Sequence, residues 1–114
     1  MSLGDLERGV MNFLWHDIDR SWSVREVANE FPDHAYTTIL TVLSRLASKG
    51  YVIEAKSGRA NQYRAAAARE DVVAALMAEA LDTAVDREMV LARFAESIGT
   101  KDRAFLARLV RRKK

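Results

Sequence analysis

Short hydroxyl side chains cluster on one face of the segment AYTTILTVLSRLASKG, where Thr37, Thr38, Thr41, Ser44 and Ser48 share that face with Arg45 and no carboxylate. A basic turn follows at Lys56-Ser57-Gly58-Arg59. Hydroxyls donate or accept hydrogen bonds, threonine methyls pack on apolar groups, and guanidinium and ammonium groups hold phosphates. A surface helix chosen only for solubility would mix in Glu or Asp. This set suits a polyanion, and it points to a helix in a DNA groove with a basic wing beside it. Thr37, Thr38 and Thr41 are assigned to base edges, where their methyls can meet thymine methyls. Ser44, Arg45, Lys56 and Arg59 are assigned to phosphates, which fix register and give salt-dependent affinity. Tyr36 joins the DNA-facing set, with packing as its alternative role. Arg45 and Lys49 also suit the C-terminal end of a helix dipole.

The elements that must position these residues follow from periodicity. Ile39, Leu40, Leu43, Leu46 and Ala47 recur at helical spacing and define the expected core face of the helix, which Gly50 ends. Before it, Ser23 and Glu26 form a capping box that starts a helix over 24–31, burying Val27 and Phe31, and Pro32 stops it. A new helix opening at Asp33 or His34 leaves so short a turn that the two must cross steeply, as in a helix-turn-helix. Upstream, residues 4–17 carry Leu6, Val10, Phe13 and Leu14 as an apolar stripe, and Ser21-Trp22 reads as a short extended segment. Downstream, 51–55 and 61–64 are β-prone around the turn at Ser57 and Gly58. Helix, short strand, helix, helix and hairpin is the order of a winged helix. The expected fold class is therefore mainly α with a small β-hairpin, a winged helix-turn-helix over 1–67.

Residues 68–114 return to helical patterning. Helices are expected over 71–83, over 86–98, and over 101–112 behind Thr100 as N-cap. Each is short for independent stability, and their apolar residues exceed what a three-helix winged domain can cover. Burial against a second copy is the economical solution, so Leu76, Leu81, Val90, Phe94, Ile98, Leu106 and Leu109 are assigned to a dimer interface.

Charge is distributed unevenly. The net +2 resolves into −4 over 1–33, +4 over 34–64, −4 over 65–100 and +6 over 101–114. The central basic block consists of Arg45, Lys49, Lys56, Arg59 and Arg64 against Glu54, and it coincides with the proposed helix and hairpin. The C-terminal Arg111-Arg112-Lys113-Lys114 run reads as a solvated end, with DNA contact as its alternative role.

Other function classes find little support. With 114 residues, 49% of them hydrophobic, the chain can bury one core and hardly two independent ones. It has no cysteine, so disulfides and thiolate metal sites are excluded. His16 and His34 lack metal or triad spacing, and the five glycines are scattered rather than gathered in a phosphate loop. No enzyme activity, metal or cofactor is expected. No apolar run approaches the roughly 20 residues of a membrane span, and a cytoplasmic location is the expectation. The rival reading is a winged helix used only for protein association.

The runs LGDLERGVMNFLW, VREVANEF, AYTTILTVLSRLASKGYV and GRANQY together resemble the BlaI/MecI/CopY penicillinase-repressor family of bacterial winged-helix repressors. The resemblance spans nearly the whole chain. It implies double-stranded DNA as partner, a homodimer, and repression through a palindromic operator with TACA/TGTA-type half-sites. The family's copper-responsive branch carries a C-terminal cysteine motif, which this chain lacks. Its β-lactam-responsive branch is cleaved before a phenylalanine in the dimerisation helices, downstream of a membrane sensor. The matching place here is Arg93-Phe94, with Arg where the family pattern has Asn.

Overall fold

The computed structural model describes residues 3–58 and 60–112. Contacts divide the chain into two compact units, one ending at Leu76 and the other starting at Met77.

In the first unit, α1 (Asp5–Trp15) is followed by β1 (Trp22–Ser23), α2 (Val24–Asn29) and α3 (Tyr36–Ser48). β2 (Val52–Ser57) and β3 (Ala60–Ala65) then form an antiparallel hairpin. The sheet order is β1-β3-β2, because Trp22 and Ser23 pair with Tyr63 and Gln62. The short extended segment expected at Ser21-Trp22 thus becomes a third strand that ties the wing to the start of α2.

Local chemistry explains the boundaries. Ser23 Oγ accepts from the Glu26 amide at 3.1 Å while Glu26 Oε1 accepts from the Ser23 amide at 2.8 Å, so the capping box is complete. α2 stops at Asn29 and α3 starts at Tyr36, so both expected ends next to Pro32 move. Asp33 and His34 lie in the turn rather than in the helix. α3 closes with a Schellman motif: Tyr51 N–H donates to Leu46 C=O at 2.9 Å and Gly50 N–H to Ala47 C=O at 3.0 Å. Gly50 supports this with φ +86°, a conformation costly for residues with a Cβ.

The core joins Val10, Met11 and Leu14 of α1, Val27 of α2, Ile39, Val42, Leu43 and Leu46 of α3, and Val52, Tyr63 and Ala65 of the hairpin. Leu40 departs from expectation, being 38% exposed while Val42 is buried at 6%. Ile39, Val42, Leu43 and Leu46 are separated by three, one and three residues and form one stripe; Leu40 falls on its flank. Phe31 packs edge-on against Phe13 at 6.4 Å and is only partly buried.

α4 (Arg69–Leu81) crosses the division between the units. Its first turns are anchored to the winged unit by Val72, buried at 6%, and by Leu76 against the core. Arg69 donates to Asn12 Oδ1 at 2.6 Å and lies over the Trp15 ring, whose Nε1 donates to Ala67 C=O at 3.0 Å. The second unit continues with α5 (Arg87–Ser97) and α6 (Thr100–Arg112). Asp86 caps α5 by accepting from the Met89 amide at 3.0 Å. Thr100 is the first residue of α6 rather than its cap. Among the described residues, no helix is long and apolar enough to cross a membrane.

Candidate nucleic-acid interface

α3 separates two faces cleanly. Its buried stripe is fully apolar, and the opposite side exposes Thr37, Thr38, Thr41, Ser44, Arg45 and Ser48. Thr37, Thr41, Ser44 and Ser48 follow one another at spacings of three and four, so they line the ridge farthest from the core. Thr38 and Arg45 occupy one flank of that ridge. Tyr36, 42% exposed, and Leu40 occupy the other.

The ridge hydroxyls are not equivalent. Thr41 Oγ1 donates to the Thr37 carbonyl at 3.0 Å. With its proton engaged by the helix, this hydroxyl presents lone pairs and a methyl to solvent.

A cleft of about 610 Å³ opens beside the Tyr36 flank, with Arg25, Tyr36, Leu40, Lys56 and Asn61 among its lining residues. Lys56 is exposed on β2 and belongs to the same strand face as Glu54 and Val52. Arg59 lies outside the described residues. Gly58, with φ +66°, shapes the turn of the wing.

The charges of the basic block do not all remain available. Lys49 Nζ pairs with the Glu7 carboxylate at 3.0 Å, both side chains being largely buried. Lys49 is therefore an internal tie between α3 and α1. The Gly4 amide bonded to Glu7 Oε1, and after it Lys49, hold the Glu7 carboxyl below its ordinary value despite burial. Glu54 is occupied as well: Tyr63 donates to Glu54 Oε2 at 2.9 Å, and Asn61 Nδ2 donates to the same oxygen. Burial and then the Glu54 hydrogen bond push the Tyr63 hydroxyl up, with Asn61 and Ser44 acting the other way. Tyr63, 1% exposed, is a core residue that closes the hairpin against α3.

Arg25 is the residue that sequence reading missed. Its guanidinium lies 4.9 Å from the centroid of the Tyr36 ring. Its place behind the capping-box serine gave no sign that it would share a cleft with the wing.

In the second unit, Met77, Ala78, Ala80 and Leu81 of α4 and Val90, Leu91 and Phe94 of α5 line an apolar groove of about 360 Å³. Val90 is 41% and Phe94 40% exposed. Leu106 and Leu109 share α6 with exposed Phe105 and Val110, and Ile98 is half-buried. Leu76, placed with the same interface set, is partly covered within its own chain by the winged-unit core. Arg93 and Phe94 stand inside α5; Arg93 pairs with Glu96 at 3.6 Å.

A family model described as penicillinase repressor matches residues 3–112. The transcriptional regulator BlaI of Mycobacterium tuberculosis is 40% identical over 111 aligned residues, covering 93% of this chain and 80% of that protein. A solved structure of a MarR family protein from Bacillus stearothermophilus superposes with a TM-score of 0.54 at 16% identity, over 98% of this chain and 73% of that one. That likeness is one of fold, and it fits a winged helix-turn-helix.

Proposed function

This chain belongs to the penicillinase repressor family, transcriptional regulators rather than enzymes, and from that membership we propose that it is a DNA-binding repressor acting as a homodimer on a palindromic operator. The observation that carries this reading is the outward side of α3. It is polar, free of carboxylates, and wholly separate from the buried stripe. In this reading α3 enters the major groove, with Thr37, Thr38 and Thr41 at base edges. Ser44, Arg45 and the wing cations Lys56 and Arg59 hold phosphates.

The α4–α5 groove, with the apolar side chains of α6, supplies the surface for a second copy. Two-fold symmetry then sets the two α3 helices roughly 34–36 Å apart or at a multiple of that spacing. Release would follow cleavage at Arg93-Phe94 downstream of a membrane sensor. The bond lies inside a helix, so α5 must open locally before a protease can reach it. Such a regulator works in the cytoplasm.

The test is mobility shift and footprinting on the chain's own promoter across a salt series. Binding is expected to weaken steeply with salt, and Thr38→Ala with Thr41→Ala is expected to lose sequence preference. Affinity that is flat in salt would favour the rival protein-association module. A double variant with unchanged preference would remove α3 as the reading helix.

A further inference from the structure

Arg25 and Tyr36 come from the two helices of the helix-turn-helix and meet at the mouth of the cleft beside the wing. The ring is the partner the structure gives this cation: among the described residues no carboxylate pairs with Arg25, whereas Arg20, which also lies over a ring, is bonded to Glu26 at 3.3 Å. A guanidinium attracted to an aromatic face makes no hydrogen bond to the ring edge or to a carboxylate there, so its N–H donors remain free to grip a phosphate at two points. The ring also limits the rotamers of a long side chain, so less freedom is lost when an anion binds. Lys56 lines the same cleft, and Leu40 and Tyr36 give it apolar surface suited to a deoxyribose.

We propose that Arg25, presented by the Tyr36 ring, is a phosphate-binding residue of the DNA interface, holding the strand that passes through the cleft with Lys56. The assignment rests on the DNA-binding reading of α3. It makes Tyr36 a positioning residue as well as part of the interface, and it gives Leu40 a reason to be exposed.

Binding of a labelled duplex of the chain's own promoter, and of a shuffled duplex of equal length, is measured by anisotropy across a salt series. The full-length wild type, Arg25→Gln, Arg25→Lys, Tyr36→Leu and the Arg25→Gln/Tyr36→Leu pair are compared. Arg25→Gln is expected to weaken both duplexes alike, by about tenfold, and to reduce the slope of log affinity against log salt by about 0.9. Arg25→Lys is expected to keep the slope while losing part of the affinity. Tyr36→Leu is expected to lower affinity, and Arg25→Gln is expected to cost less in its presence. Because Arg25 is exposed, circular dichroism should show all variants folded. A wild type with steep salt dependence and an Arg25→Gln variant of equal slope would overturn the assignment alone. A loss confined to the promoter duplex would overturn it too, since a phosphate contact is blind to sequence. A wild type insensitive to salt would overturn the DNA reading and this assignment together.

Discussion

Lys49, at the C-terminal cap of α3, donates to both carboxylate oxygens of Glu7 in the first turn of α1, at 3.2 and 3.0 Å. The pair spans 42 positions of sequence and joins the C-terminal end of α3 to the first turn of α1. Since Glu7 also accepts the Gly4 amide, one carboxylate starts α1 and fastens the end of α3.

Glu7→Gln should therefore lower stability by about 1–2 kcal/mol near neutral pH, the scale of a charge-assisted contact shielded from water. The pH dependence has a definite sign. A carboxyl held below its ordinary value in the folded state contributes stability above its unfolded pKa, and that contribution is lost as pH falls through the folded value. Urea unfolding of wild type and variant should thus converge in acid. A gap that persists unchanged there would refute the linkage.

Lys49→Met should leave the salt slope of DNA binding at the wild-type value, because the ammonium is already spent on Glu7. Arg45→Gln, which removes an exposed cation of α3, should reduce the slope by about 0.9. The two variants compared in one salt series distinguish an internal tie from a phosphate contact, and equal slopes would contradict the distinction.

Thr41 separates two modes of reading. Its hydroxyl donates to the Thr37 carbonyl, so in the proposed reading it would meet DNA as an acceptor, which matches the amino groups of adenine or cytosine. Thr41→Ser, which keeps the hydroxyl, and Thr41→Val, which keeps the branched apolar shape, should therefore differ in base preference at one operator position. The serine variant is expected to retain preference for a base bearing an amino group, and the valine variant to lose about 1–3 kcal/mol of discrimination. Selection from a randomised operator library gives the answer, and identical preferences would remove Thr41 from direct readout.

Tyr63→Phe deletes the hydroxyl donated to Glu54 while leaving the ring in the core. A loss of about 1–2 kcal/mol is expected. The tyrosine's folded pKa is raised, so the stability it contributes is present below its unfolded pKa of about 10 and is lost as pH climbs through the folded value. Thermal melts in alkali should bring the two proteins together, and a constant difference would count against the hydrogen bond.

Phe94→Asp puts a charge in the apolar groove of α4 and α5. Removing a side chain whose burial is worth about 1.5–3 kcal/mol should weaken self-association by at least about tenfold. Sedimentation would show a dimer giving way to monomer at concentrations where the wild type stays paired. An unaltered distribution would place the interface elsewhere.

Much of this was legible in the residues because each signal was local. The Ser23/Glu26 box, Gly50 and the Ser57-Gly58 turn place several boundaries of the winged unit, whereas Pro32 marked the turn between α2 and α3 but not their ends. The hydroxyl face of α3 announced itself by what it lacked. Illegible were pairings made by tertiary distance: Glu7 with Lys49, Glu54 with Tyr63, and Arg25 with Tyr36. Each is a long side chain reaching a residue on another element, which periodicity does not encode. Leu40 shows the same limit, since an apolar type on the flank of a stripe looks like core until its neighbours are in place. Phe105 and Leu91, more exposed than Phe94, show that apolar composition marks a face without choosing its members.

The outward side of α3 has one more implication. Thr37, Thr38 and Thr41 stand outside the packed core, while the helix that bears them is secured at one end by the Gly50 closure and the Glu7 tie. The side chains proposed to read DNA and the contacts that hold the helix are thus separable. Exchanging those side chains should redirect such a protein to new sequences at little cost in stability, with the scaffold serving as a reusable mount.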